Sequence, residues 1–528
     1  MPKSQSTMTE TIAAEETKPR VPGYCSYRWA ISFVGFLGFI FVYAFRINLS
    51  LAIVCMVKVT NTSTGTGSWS EAINGSLVEY SNSSESCIAE METQTTPNRG
   101  EFDWDKRLQS RLLAAFFYGY IVTPIPGGWL ARKVGCRKVL GVGMFLCILS
   151  TVLVPVCARI NVNLVFFLRI VAGLTSGVSF PAMHCLWGRW APPLERSKLM
   201  ALCYSGSSLG NILTLAFSGL LCANGFDNGW GSIFYIFGAA SLIWLFLWIY
   251  LVYDTPRDHP RISEIERDYI EEAIGDNAAI SDRRRRTPWL AMLKSPALWA
   301  CVTAHFCNNW TNYTLLTALP TYMKEVLKFD IKQNGFLSAV PYVCQFISSV
   351  LSGQVADFLR EQKILTTRST RRVMQVTAFV GAAVFLVATG FVQCENRMLA
   401  VVFLSLAVTF KGLERGGYMA NHVDFGPRFA GELYGITNTV ATIPGMVTPL
   451  VSGALTPNKT QEEWQLVFFL CAGVAMLGAL VFGTLVRGNV QEWALLTKPT
   501  DTELHLNAKD SEALTNGHDS CNNKKNFV

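Results

Sequence analysis

The sequence predicts an all-α membrane protein of twelve transmembrane helices arranged as two six-helix halves. Three observations carry this. First, half of the 528 residues are hydrophobic and only 16% are charged, against about a quarter charged in a soluble chain. Second, the apolar residues fall in runs of about 20, the length of helix that crosses a hydrocarbon core about 30 Å thick. Third, the basic residues alternate between loops in the manner that orients such helices. Together these exclude a soluble enzyme, a disordered chain, a collagen-like chain and a disulfide-rich secreted domain. A transmembrane β-barrel is excluded as well, because its strands alternate with period two.

Residues 1–28 are polar, lack an apolar h-region and read as a disordered cytosolic tail rather than a cleavable signal. The first span, from Trp29 to Val57, is too long for a signal peptide and reads as a signal anchor. Further spans are expected near 108–130, 139–157, 164–188, 199–222 and 231–253, completing an N-terminal half of 29–253. Loop 58–107 within it carries the sequons Asn61, Asn74 and Asn82. A linker, 254–296, holds an acidic amphipathic stretch (Glu264 to Glu272) and the run Arg283 to Arg286. It reads as a solvated connection with one surface helix. Spans near 297–322, 335–356, 373–393, 398–422, 429–453 and 465–487 form the C-terminal half, 297–487, and 488–528 is a polar tail. Helices are required because a spanning backbone must satisfy its own hydrogen bonds.

The even-numbered loops hold about twice as many Lys and Arg as the odd-numbered ones, in fewer residues. This places the even loops and both termini in the cytosol. The sequons agree, since Asn61, Asn74, Asn82 and Asn458 all fall in odd loops. The net charge of +7 therefore reflects membrane orientation, and no basic face interleaved with aromatics suggests nucleic acid. Of fifteen cysteines, Cys55 and nine others lie in or beside apolar runs, where they are expected to act as small hydrophobes. No C-x-x-C pair points to a metal, and no disulfide framework follows from Cys87.

Traces of repetition connect the halves. Gly128 with Arg132 and Lys133 follows span two, and Gly353 with Asp357 and Arg360 follows span eight. Phe180-Pro-Ala-Met-His184 in span four corresponds to Tyr418-Met-Ala-Asn-His422 in span ten. Parallel repeats about an axis normal to the membrane give this pattern.

Two kinds of residue could carry chemistry. Arg46 lies deep in span one, where a guanidinium is costly unless it faces a cavity or a partner. Its planar fork suits a carboxylate or phosphate, and a structural ion pair is the competing role. Tyr43, Tyr118, Tyr204 and Tyr313, from spans one, two, five and seven, offer a face and a hydroxyl to a sugar acid. Ordinary helix packing is their competing role. His184 and His305 fit either a proton relay or a hydrogen-bonded packing position.

The Gly128-x3-Arg132-Lys133-x-Gly135-x-Arg137-Lys138 loop and the six-plus-six organisation resemble the major facilitator superfamily, with Arg132 where an Asp is usual. A narrower resemblance rests on Tyr43-Ala-Phe-Arg46-Ile-Asn48, Phe116-Phe-Tyr118-Gly-Tyr120, Ile125-Pro-Gly-Gly128 and Phe180-Pro-Ala-Met-His184. Trp190-Ala-Pro-Pro-Leu-Glu-Arg196, Gly435-Ile-Thr-Asn438 and Pro444-Gly-Met446 extend it. These resemble the organic-anion and phosphate transporter family, which includes sialin, the vesicular glutamate transporters and the sodium–phosphate cotransporters. The likeness is strongest to the sialin type. It implies the major facilitator fold, a small anionic substrate held by Arg46, and a lysosomal or vesicular membrane, with the plasma membrane as the alternative.

Two departures bear on coupling. The resemblance leads one to expect two carboxylates in span four, where this chain has Ala172 and Ser176. Span ten instead carries Lys411, Glu414 and Arg415 where the family has small neutral residues. Glu414 and His184 are therefore the coupling candidates, with a neutralised Lys411–Glu414 pair as the competing role for the former. The expected function is proton-linked export of sialic acid or other acidic sugars, or of acidic amino acids, by alternating access. Sodium-driven uptake of phosphate or organic anions and a non-transporting membrane sensor are the alternatives. No cofactor or metal is expected, only a coupling proton or sodium ion. No nucleophile–base pair suggests an enzyme, and the partners are the small anion and the lipid bilayer, with no nucleic acid.

Overall fold

A computed structural model describes residue 23 and residues 25–58, 100–104, 106–274, 287–327, 331–458 and 460–495. Asn61, Asn74, Asn82, Cys87, the arginine run 283–286 and most of both tails lie outside the described residues.

The chain is helical throughout the spans, and its breaks fall where the backbone demands them. α1 (Tyr27–Met56) is one continuous apolar helix. Span two is split into α2 (Lys106–Tyr120) and α3 (Pro124–Val134). Pro124 cannot donate to a preceding turn and instead opens the second piece. Gly135, at φ 118, then turns the chain sharply into α4 (Cys136–Val152), a conformation that favours glycine. α5 (Val154–Ile160) is bent 44° from α4 and carries Pro155 in its first turn. Span four is also broken, into α6 (Val162–Gly177) and α7 (Ser179–Trp190). α8 (Arg196–Asn224) and α9 (Trp230–Leu251) complete the half.

The linker contributes α10 (Glu264–Ile274) and α11 (Trp289–Lys294). In the second half come α12 (Pro296–Glu325), α13 (Ile331–Glu361), α14 (Thr367–Gly390) and α15 (Arg397–Lys411). A 3-10 turn, Gly412–Arg415, joins α15 to α16 (Tyr418–Phe425). α17 (Ala430–Leu455) and α18 (Gln461–Leu485) end the bundle, the latter opened by a Thr460–Glu463 capping box. Six spans among the described residues are long and apolar enough to cross a membrane, one of them made by α6 and α7 together, and α4 with α5 makes up to a seventh. Others, such as α12, carry polar residues that line the interior.

Within the first half α1 packs along α8, and α2 along α6; within the second, α14 packs along α18, and α12 along α17. The halves meet where α8 crosses α13 and where α3 and α7 approach α17. The approach of α3 to α17 is close enough that a Cβ on Gly128 would meet the Gly431 carbonyl, and one on Gly435 would meet that of Pro124.

Three features differ from what the sequence suggests. Cys55 is not a packing residue: it is disulfide-bonded to Cys222, Cα–Cα 6.2 Å, joining the ends of α1 and α8. The linker helix α10 lies on the surface, with Glu264, Ile265, Asp268 and Glu272 exposed, but it is docked by one face rather than freely solvated. Its Ile270 and Glu266 are buried, and Glu266 accepts from the Tyr27 and Arg28 amides, both at 3.1 Å. Span ten, expected to run unbroken over 398–422, unwinds at Gly412–Gly417. Three glycines at 412, 416 and 417 lower helix propensity there. The freed groups find partners on α13, with Gly416 N donating to Ser352 Oγ at 2.8 Å.

Candidate functional site

A small internal cavity of about 40 Å³ lies between the halves. Arg46 from α1 enters it from one side, and the broken segment of span ten enters from the other. Arg46 keeps some accessible surface. Its guanidinium carbon is 5.0–5.7 Å from the rings of Tyr43, Phe116, Phe117, Tyr120 and Tyr313. These faces attract the cation without discharging it. Nη2 donates to the Tyr313 hydroxyl, while Nε has no hydrogen-bond partner. Arg46 forms no ion pair with a carboxylate among the described residues. Behind it, the buried Arg169 of α6 donates to the carbonyls of Phe45 at 2.9 Å and Arg46 at 3.1 Å. It thereby fixes the turn of α1 that presents Arg46.

The four tyrosines singled out in the sequence occupy different places. Tyr43 and Tyr313 line the cavity. Tyr118 does not: it is 51% exposed on the outside of α2. Two residues along a helix rotate the side chain by about 200°, so Tyr120 takes the inward position instead. Its hydroxyl accepts from Asn438 Nδ2 at 2.9 Å, across the two halves. Tyr204 is fully buried one layer behind the cavity and hydrogen-bonded to His184 Nδ1 at 2.7 Å.

His184 also lies outside the lining. It is fully buried, reaches the Phe180 carbonyl at 3.0 Å and stacks on Tyr434, centroid distance 3.8 Å. These contacts are those of a packed, hydrogen-bonded residue. His305 does line the cavity and contacts Thr437 Oγ1 at 3.1 Å, a hydroxyl that His422 also contacts at 3.0 Å.

Lys411, Glu414 and Arg415 all face the cavity. Glu414 belongs to the 3-10 turn rather than to a helix face, so its approach to Lys411 is loose, at 3.8 Å. Ala172 and Ser176 are buried in α6, and Ser176 Oγ contacts Cys147 Sγ at 3.3 Å. No carboxylate stands at those two positions. Sequence reasoning missed Arg169, Tyr120, Tyr418, Tyr434 and Asn438 as site or support residues. The motifs Phe116–Tyr120 and Gly435–Asn438 contained two of them, but only the helix phase separates Tyr120 from Tyr118. Asn458 is exposed, and its side-chain amide donates to Glu463 at 2.7 Å.

The end of the bundle that carries the basic loops is sealed. Arg132 Nε donates to Glu432 Oε1 at 2.5 Å, both residues fully buried. Asp424 bridges Arg196 at 2.9 Å and Arg371 at 2.7 Å, and Arg371 reaches Ser197 Oγ at 2.7 Å. Lys198 N donates to Asp357 Oδ2 at 2.7 Å. Each of these ties joins one half to the other, apart from Asp424 to Arg371. A cavity of this size holds a few waters, so anything larger enters or leaves only when the halves part.

A family model described as the Major Facilitator Superfamily matches residues 31–449. Human sialin is 46% identical over 395 residues, covering 75% of this chain and 78% of that protein. Vesicular glutamate transporter 3 of Danio rerio is 40% identical, covering 78% and 70% respectively. Among solved structures, the proton:xylose symporter XylE bound to 6-bromo-6-deoxy-D-glucose superposes with a TM-score of 0.64 at 15% identity. That match covers 88% of this chain and 97% of XylE. FucP in the outward conformation gives 0.59 at 16% identity, over 86% and 99%.

Proposed function

This chain belongs to the major facilitator superfamily, in the group that contains sialin and the vesicular glutamate transporters, and on that premise we propose that it carries acidic sugars such as sialic acid across a lysosomal or vesicular membrane. It is a multi-pass transporter of small organic anions, not an enzyme. The observation that carries the finer reading is Arg46. It is a cation at the centre of the bundle, ringed by aromatic faces, with Nε unpartnered and no carboxylate beside it. A cation enclosed in this way lacks a counter-ion among the described residues, and a substrate carboxylate supplies one. The Tyr43 and Tyr313 rings then pack against the sugar body while their hydroxyls meet its polar groups.

Transport follows from the position of this site between two halves that tie together at one end. Breaking the Arg132–Glu432 and Asp424 ties opens the basic end while the opposite end closes, and the solute stays at the midplane. The basic end is read as cytosolic, with both termini there. The Cys55–Cys222 disulfide supports this, because it lies at the other end, where an oxidising lumen permits it.

For coupling, Glu414 is the carboxylate on the cavity wall among the described residues, and we assign it the proton in place of the absent span-four acids. Sodium coupling is the second reading, favoured by Ala172 and Ser176 standing where those acids would be.

The test is uptake of labelled sialic acid into proteoliposomes, with and without an inward proton gradient, for wild type, Arg46→Ala and Glu414→Gln. Wild type should show gradient-stimulated uptake. Losing the charged anchor should reduce apparent affinity by about ten- to hundredfold, the worth of a charge-assisted hydrogen bond. Glu414→Gln should retain exchange but lose the gradient response. Uptake indifferent to Arg46 would falsify the site, and gradient stimulation intact in Glu414→Gln would remove the coupling assignment alone.

A further inference from the structure

The charges on the cavity wall do not balance. Lys411, Glu414 and Arg415 are all buried, and the one carboxylate pairs only loosely with both cations. Lys411 Nζ is 3.8 Å from Glu414 Oε2, and Arg415 Nη2 is 3.7 Å from Oε1. Both separations exceed hydrogen-bond reach. The two cations are instead directed at neutral acceptors. Lys411 donates to Asn312 Oδ1 at 3.0 Å and Arg415 to Ser207 Oγ at 3.1 Å. Glu414 Oε2 and Arg415 Nε have no hydrogen-bond partner, and neither does Arg46 Nε on the facing wall. Among the described residues that line the cavity, three cations therefore face one carboxylate. Arg169, hydrogen-bonded among the described residues to Phe45 O, Arg46 O and Asn48 Oδ1, adds a further buried cation behind Arg46.

A monoanion on Arg46 neutralises one wall and leaves the other with uncompensated charge in a low-dielectric site, which is costly. We infer that the preferred cargo is a sugar-sized dicarboxylate, with one carboxylate on Arg46 and the second on Arg415 and Lys411. The two charged groups belong to opposite ends of the solute, because the cationic groups belong to opposite halves of the transporter. Among the residues that line the cavity, Glu414 holds the excess at two positive charges and so matches it to two carboxylates; Arg169, outside the lining, is held by the α1 carbonyls. The inference rests on the anion-transport reading of Arg46 and adds the second pole. It also gives span ten a consequence for specificity: the same three residues that break the family's neutral pattern select the charge of the substrate.

A pair of six-carbon sugar acids isolates charge from size. Glucarate carries a carboxylate at each end, and glucuronate carries one. Each is titrated against purified full-length protein in lipid nanodiscs, with binding read by calorimetry. Wild type should bind glucarate at least about tenfold more tightly than glucuronate, the effect of one charge-assisted contact. Arg415→Gln and Lys411→Met should each bring the ratio towards one by weakening glucarate alone, whereas Glu414→Gln should raise it. Arg46→Gln should weaken both ligands. Equal affinities in wild type overturn the inference, as does a glucarate preference that survives in both Arg415→Gln and Lys411→Met. If glucuronate binds equally well and depends on Arg46, the anion-transport reading stands and only the second pole falls. If folded wild type binds neither ligand, both fall.

Discussion

At the scale of single residues, the site is set by which way side chains turn rather than by which residues are present. Tyr118 and Tyr120 share one motif, yet only Tyr120 sits 5.0 Å from the Arg46 guanidinium and spans to Asn438. Tyr120→Phe should therefore lower the apparent affinity for anion several-fold, from the loss of a hydrogen bond worth about 1 kcal/mol. Tyr118→Phe should leave transport unchanged. Side-by-side uptake kinetics check this, and equal effects of the two changes would contradict the placement. His184 shows the same lesson from the other direction. A histidine in a transporter span invites a proton role, but Tyr204, Phe180 and Tyr434 fill its surroundings. Of these only Phe180 is near His184 in sequence; Tyr204 and Tyr434 come from α8 and α17, and nothing near His184 records them.

At the scale of elements, local sequence explains the breaks and long-range packing explains their use. Pro124 splits span two, and a glycine-rich stretch unwinds span ten. The second break turns Glu414 and Arg415 into the cavity instead of leaving them on a helix surface. The linker is likewise an integral part of the first half. His259 lies against the rings of Tyr27, Tyr253 and Trp190. Its Nδ1 accepts from Arg261 N at 3.2 Å, which requires that nitrogen to be unprotonated. Burial pushes its pKa below the ordinary histidine value. A histidine lowered in this way adds stability in full above its unfolded pKa, about 6.5. That contribution is lost as pH falls from there towards the lower folded value. Lowering the pH on this face from 7.5 to 5.5 should therefore speed hydrogen exchange across residues 254–274. His259→Gln should flatten that response, and an unchanged exchange profile in wild type would count against the docking.

At the scale of the whole molecule, the two halves are held at one end by buried charge. Arg132 and Glu432 are fully buried partners on α3 and α17. Removing one of them leaves the other buried without its opposite charge, at about 3–5 kcal/mol, while replacing both by apolar residues is often near neutral. Arg132→Met and Glu432→Leu should each shift the population towards opening at the basic end and lower thermal stability. The double variant should recover most of that stability. A thermal-unfolding cycle with protease accessibility of the α3–α17 contact measures this coupling. Additive losses would mean that the pair does not act as one tie. In this chain Arg132 stands where the superfamily resemblance leads one to expect Asp, and Glu432 is the acid that makes this tolerable. The compensation is 300 residues away in sequence and appears only when the halves are brought together.

The sequence by itself determined the class of protein, because membrane spanning is a matter of length and apolarity that each helix satisfies alone. It also marked Arg46, since a charge within an apolar run is visible without knowing its neighbours. Tertiary structure decided what the residues around it do. The inward turn of Tyr120, the backing of Arg169, the Cys55–Cys222 disulfide and the facing of Lys411, Glu414 and Arg415 towards Arg46 all arise between helices distant in the chain. The physical reason is that hydropathy acts along one segment at a time, whereas charge neutrality is settled over a site that many segments build together.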